Sequence, residues 1–254
     1  MKIFEDKNGQ RMCYHDLEGE SVPILFIHGL GCASSSDYPE VAGSVFLTKH
    51  RRILVDLLGY GFSDKRDSVD FSLVNQADAL VHLIDHLEIE SLVIFGHSMG
   101  GAVAIHLADK IRNRVHSLVL SEANLDSGGG YFSLKILGYS LQDYISFGHI
   151  ATVEERRCQG SYAWPASMEV SKPAAVHRGA QDLVSGVTPS WRAMLYSFDF
   201  PRTYIFGEKN LPDKDEEELK KNGVKIGMVS AAGHNMANEN ADGLAEEIGK
   251  GICT

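Results

Sequence analysis

Gly96-His97-Ser98-Met99-Gly100 places a serine between two glycines, after one apolar run and before a helical one. A Gly-x-Ser-x-Gly string is weak evidence alone; its context gives it weight. A nucleophile on so sharp a strand-to-helix turn must take up strained backbone, so the residues two places either side need to lack side chains. Gly96 and Gly100 meet that need, while Gly101 and Ala102 let the helix pack close to a sheet. The helix N-terminus adds unpaired N–H groups and a positive dipole end where negative charge would develop. The chemistry these features point to is attack by Ser98 on an acyl carbonyl. The competing reading is a glycine-framed turn around an idle serine.

Acyl transfer needs N–H donors aimed at the oxyanion. The N–H of Met99, just after the nucleophile, supplies one. His28-Gly29-Leu30-Gly31 follows an earlier apolar run and offers the second, from Leu30. Gly233-His234-Asn235-Met236 puts a histidine on a loop from which it could reach Ser98 as general base. With eleven histidines in the chain, type alone does not single one out. His82 and His86 stand at i, i+4 on a helix without a third ligand, and read as solvated rather than metal-binding. Asp56-Leu57-Leu58-Gly59-Tyr60-Gly61-Phe62-Ser63 reads as a structural turn bordering a pocket; its Gly-x-Gly completes no dinucleotide fingerprint.

These residues need a scaffold. Asn8-Gly9 signals a two-residue turn in an N-terminal hairpin. Runs at 22–27, 52–57, 91–95, 115–120, 203–206 and 225–229 are short and largely apolar without alternation, as in a parallel sheet covered on both faces. Between them, 71–88 sets Leu73, Ala77, Leu80, Leu83, Ile84 and Leu87 on one stripe. A small-residue helix covers 99–111, and 238–252 forms a last helix with a capping asparagine. Strand and helix in alternation predict an α/β sheet with right-handed crossovers. Residues 126–188 break the rhythm. They open on Gly128-Gly129-Gly130 and carry Tyr131, Phe132, Tyr139, Tyr144, Phe147, Tyr162 and Trp164. A stretch that long cannot be a structureless loop, so it predicts a small helical insertion.

The 254 residues can bury one substantial core, and a net charge of −10 argues against nucleic-acid or anionic-membrane partners. The N-terminus mixes charge from its first residues, and no stretch approaches a membrane span. Cys13, Cys32, Cys158 and Cys253 lack metal-ligand or CxxC spacing. Reduced thiols and a cytoplasmic location are the expectation.

Together these pieces resemble the α/β-hydrolase fold family. Its HG loop looks like His28-Gly29, its elbow like Gly96 to Gly100 and its closing GH like Gly233-His234; the likeness runs from about residue 20 to 250, the insertion matching in position only. The resemblance implies a mostly parallel twisted sheet flanked by helices. The core would be 1–125 and 189–254, with 126–188 as a helical cap over the site. Esterases, lipases, thioesterases and C–C bond hydrolases share the pattern. Epoxide hydrolases and dehalogenases do so with an aspartate nucleophile, which Ser98 counts against. One departure concerns the acid. Many relatives carry it in a Gly-Glu-Lys-Asp string, where this chain has Gly207-Glu208-Lys209-Asn210. A minority place it after the strand before the cap, where Glu122 stands. Glu122 is therefore the expected acid and Asn210 a vestigial occupant, with Asp213 and Glu208 in reserve.

The resulting expectation is a Ser98–His234–Glu122 esterase or thioesterase acting through an acyl-enzyme, its oxyanion held by Leu30 and Met99, with no cofactor or metal. The aromatic insertion leans towards a small hydrophobic or aromatic acyl substrate. A non-catalytic small-molecule receptor, or cofactor-free C–C cleavage or perhydrolysis in the same site, are the alternatives.

Overall fold

Eight strands form one sheet in the order β1-β2-β4-β3-β5-β6-β7-β8 in the computed structural model, which describes residues 1–252. The strands are β1 Lys2–Glu5, β2 Arg11–Leu17, β3 Ser21–Ile27, β4 His50–Val55, β5 Leu92–His97, β6 Val115–Ser121, β7 Arg202–Gly207 and β8 Lys225–Val229. β1 and β2 run antiparallel, and every pairing from β4 through β3 to β8 is parallel. The fold is α/β: a mostly parallel sheet flanked by helices.

Side chains alternate across a strand, so a sheet covered on both faces needs apolar residues at every position. Leu25, Ile53, Ile94 and Leu118 enter one core with the Leu73–His86 and Met99–Lys110 helices. Phe26, Leu54, Phe95 and Val119 enter the other, beneath Leu244, Ala245 and Ile248 of the Ala241–Ile252 helix. That double burial is why the central strands read as unbroken apolar runs.

Several local expectations shift. The hairpin exists, but Glu5 pairs with Arg11, so its loop spans five residues rather than two; Asp6 Oδ1 accepts the N–H groups of Asn8 and Gln10, each at 2.8 Å. The last helix is broken at Asn240, whose Oδ1 accepts the Gly243 N–H at 2.9 Å, so the capping residue is Asn240. Between β6 and β7 the chain is mostly helical, from Tyr131 to Ser197. This segment is tied to the sheet-bearing part: Tyr60 Oη donates to Ala175 O at 3.1 Å and Leu73 N to Asp182 Oδ2 at 2.9 Å.

His82 Nδ1 lies 3.6 Å from Asp6 Oδ2, and His86 packs on the Phe4 ring, so these histidines serve local contacts rather than standing in water alone. Cys13, Cys32 and Cys158 are free thiols, and Cys253 lies outside the described residues. Among the described residues no helix is long and apolar enough to cross a membrane, and no group of three or more His, Cys, Asp or Glu could hold a metal.

Candidate active site

The turn after β5 is as strained as its glycines imply. Ser98 sits at φ 52°, ψ −121°, a region that costs a non-glycine residue about 1–3 kcal/mol. Three backbone bonds hold it there: Ser98 N donates to Ser121 O at 3.0 Å, and Ser98 O accepts from Gly101 N at 2.9 Å and Asn124 N at 3.3 Å. A methyl at Gly96 would stand 2.5 Å from Gly100 O, and one at Gly100 would collide with the carbonyls of Ile27 and His28. The motif's glycines are thus set by the approach of helix to sheet.

Ser98, Glu122 and His234 line one cavity of about 450 Å³, together with Leu30, Trp164 and Arg156. Glu122, at the end of β6, is itself at φ 44°, with its N–H given to Ile205 O at 3.1 Å. Its Oε1 accepts the Gly207 N–H and the Asn210 amide, both at 2.9 Å. Its Oε2 lies 4.0 Å from His234 Nδ1, which is ion-pair rather than hydrogen-bond distance. Among the described residues no hydrogen bond joins Ser98 Oγ to His234. Asn210 is therefore no bystander, as the sequence had implied, but a donor to the carboxylate.

His234 is drawn below its ordinary value of 6.5, chiefly by burial, against the opposing pull of Glu122 and Glu239. With 49% of its side chain still exposed, this displacement is limited by solvent. Its loop is clamped by a residue that sequence reasoning missed. Glu239 accepts the N–H of Gly233 at 2.9 Å and of Asn235 at 3.3 Å, bracketing the histidine. His97 was missed too. Its ring lies 4.8 Å from that of His234, and its Nδ1 meets Ser121 Oγ at 3.0 Å. Burial, then the neighbouring His234, push it down to about 3, so it is neutral.

The HG loop is fixed by His28, whose Nε2 accepts the Leu57 N–H at 3.0 Å while Nδ1 faces Gly29 O at 2.9 Å. Burial holds that imidazole below its usual range, which suits a neutral ring that accepts at Nε2. Among the described residues neither the Leu30 N–H nor the Met99 N–H meets an internal acceptor. Trp164 Nε1 donates to Leu30 O at 2.8 Å, tying the helical segment to this loop. Asp56 to Ser63 does not line the cavity. Asp56 instead accepts from Ser35 N at 2.9 Å and Phe62 N at 3.0 Å. Of the reserve acids, Glu208 accepts the Ala231 N–H at 2.7 Å and Asp213 the Asp215 N–H at 2.8 Å, and neither lines the cavity. Cys32 does line it, but burial and Asp37 push its thiol far up, so it offers no thiolate.

A family model described as the alpha/beta hydrolase fold matches residues 22–141. A 2-hydroxymuconate semialdehyde hydrolase of Pseudomonas putida is 37% identical over 113 residues, 44% of this chain and 40% of its own length. The match thus spans less than half of that curated relative. Across 98% of this chain and 97% of its own, a thermophilic esterase from Thermogutta terrifontis superposes with TM-score 0.80 at 19% identity. An esterase from Exiguobacterium antarcticum gives TM-score 0.80 at 17% identity, over 99% of both chains. At such identities the structural likeness speaks for the fold. The chain has the α/β-hydrolase fold, and its residues 22–141 are similar to that family's model.

Proposed function

We propose that the protein is a serine hydrolase of carboxylic esters or thioesters, with Ser98, His234 and Glu122 as its triad. The observation that carries this reading is the strained Ser98 at a helix N-terminus, in one cavity with a histidine that faces a carboxylate. Ser98 Oγ attacks the carbonyl carbon while His234 takes its proton. The N–H groups of Leu30 and Met99 receive the oxyanion, as a donor pair with free hydrogens in this position would. Collapse of the tetrahedral intermediate expels the alcohol or thiol, protonated by His234. Water, deprotonated by the same imidazole, then releases the acid and restores Ser98.

The test is hydrolysis of a p-nitrophenyl ester series, paired with labelling of the native protein by a fluorophosphonate and mapping of the added mass. Turnover with the label on Ser98 supports the reading, and a receptor on the same fold would show neither. A second reading, cofactor-free C–C cleavage, is favoured by the P. putida relative, whose name is 2-hydroxymuconate semialdehyde hydrolase. Cleavage of a vinylogous 1,5-diketone in preference to any ester would move the assignment there.

The general base also sets a pH limb. His234 must be neutral to accept the Ser98 proton, and a lowered value keeps it neutral further into acid. The acidic limb of kcat/KM should therefore centre below pH 6.5. A limb centred above 6.5 would mean that Glu122 outweighs burial at this imidazole.

We also propose that 126–188 acts as a cap over the site. Tyr131, Phe132 and Trp164 from this segment line the cavity, whereas Tyr144 is buried in the core and Tyr162 is exposed. Trp164 both lines the cavity and grips Leu30, and two substitutions separate these roles. Trp164→Ala should change the rate ratio of long to short esters. Trp164→Phe keeps a ring but loses one neutral hydrogen bond, and should lower kcat for all esters by about 2- to 10-fold. Unchanged chain-length ratios in Trp164→Ala would remove the residue from the acyl pocket.

A further inference from the structure

Arg156 lies in the His149–Cys158 helix and, among the described residues, is the only Lys or Arg lining the cavity that holds Ser98. Its neighbour Arg157 is committed to carboxylates, at 3.1 Å from Glu154 and 2.6 Å from Glu169. Arg156 meets no carboxylate among the described residues. Its Nη1 donates to Gln159 Oε1 at 2.6 Å, and its Nε is buried without a partner. The face of the guanidinium is taken, with Cζ 5.1 Å from the centroid of the Phe132 ring. That ring in turn lies 4.7 Å from Trp164, which is anchored to Leu30.

What the stack and Gln159 leave free is Nη2, which meets no acceptor among the described residues, while Nε is sealed from solvent. Elsewhere in the chain guanidinium N–H groups bind carboxylates. Arg51 holds Asp16 through Nε at 2.8 Å and Nη2 at 3.1 Å, and Arg192 holds Asp126 through Nε at 2.8 Å and Nη2 at 2.7 Å. Such charge-assisted N–H···O contacts are the strong ones. In a chain of net charge −10, an unpaired arginine facing the nucleophile's cavity selects for an anion locally.

We propose that the substrate carries a carboxylate remote from its scissile carbonyl, and that Arg156 receives it through Nη2. The proposal rests on the hydrolase reading for the word substrate, but not for the binding of the anion.

Matched pairs of esters test it on either side of the scissile bond. One pair is the p-nitrophenyl hemiester of glutaric acid against p-nitrophenyl valerate; the other is 4-acetoxybenzoate against phenyl acetate. The anionic member of at least one pair should be preferred. In Arg156→Gln its advantage in kcat/KM should shrink about 10- to 100-fold, the worth of a charge-assisted contact. Arg156→Lys, which keeps the charge but not the planar guanidinium, should restore part of it. Calorimetry with glutarate and with benzoate reads the same site without turnover. Binding of either should weaken with salt and be lost in Arg156→Gln. If no anionic ester is preferred, or the preference survives in Arg156→Gln, the proposal is overturned while turnover of neutral esters leaves the Ser98 reading standing. If no ester is cleaved yet glutarate or benzoate binds through Arg156, the hydrolase reading has failed and the anion site remains. Absence of binding by both acids, or binding untouched by the substitution, overturns the site as well.

Discussion

Ser98→Ala is expected to abolish ester turnover while leaving the protein folded. Loss of the corresponding serine in a serine protease costs on the order of 10⁶-fold in kcat. Nothing nearby can substitute, since Cys32 is held as a thiol and Ser121 Oγ is engaged with His97. Fluorophosphonate should add mass to the wild type at Ser98 and to no residue of the variant. The backbone gives a second readout. Alanine at φ 52° is as strained as serine, whereas glycine is not. Ser98→Gly should thus be inactive but more stable, by up to about 1–3 kcal/mol. For a chain of this size that is a rise in Tm of roughly 2–4 °C per kcal/mol. Esterase activity surviving in Ser98→Ala would sink the serine-hydrolase reading, and a Ser98→Gly no more stable than wild type would mean that the elbow stores no strain.

The sheet was legible because its two cores demand opposite faces of the same strands. Leu25 and Phe26 point to different cores, and so do Ile94 and Phe95. No helix or loop alternative buries such short runs as well. The placement of Ser98 at a strand-to-helix turn and of His234 on a loop beyond the last strand was legible because the demand on each is local: glycines two places away at the turn, and a Gly-His pair after the final strand. What could not be read is the set of contacts made at long range by ordinary side chains. Asn210 reaches Glu122 across 88 positions in the chain. Nothing in the spacing of either residue announces that bond. Glu239 is an unremarked acid in a polar stretch until Gly233 and Asn235 are seen to donate to it. His97 was hidden inside the very motif that drew attention to its neighbour. The helical segment resisted for another reason. Its elements are short, several of them seven residues, and their aromatic residues divide between cavity, core and surface. Periodicity cannot sort those three fates.

Glu122→Gln should cost three to four decades in kcat with a far smaller change in KM, and the donors around Glu122 explain why. Oε1 accepts from the Gly207 N–H and the Asn210 amide, both at 2.9 Å. In a glutamine the carbonyl oxygen would keep that position, because an NH₂ group there would face two donors. The amide NH₂ would then turn to His234 Nδ1. An imidazole that accepts at Nδ1 carries its proton on Nε2 and cannot take one from Ser98. That wrong-tautomer penalty is about 10⁴-fold in the serine-protease example. Asn210→Ala removes one donor but leaves Gly207, so Glu122 should stay in place at a cost of about 2- to 10-fold. Asn210→Asp has a distinct signature. It sets a second carboxylate against Glu122, and two like charges at that distance hold a proton between them. The acidic limb of kcat should then move up in pH. Coupling Asn210→Asp to Glu122→Ala removes the clash and returns one carboxylate to the neighbourhood of His234, so it should recover part of the rate lost in Glu122→Ala. Asp213→Asn should change little, since Asp213 caps the Asp215 N–H and lies outside the cavity. Near-wild-type kcat in Glu122→Gln, with collapse in Asp213→Asn, would place the acid on the later loop and leave the 4.0 Å approach of Glu122 to His234 without a catalytic role.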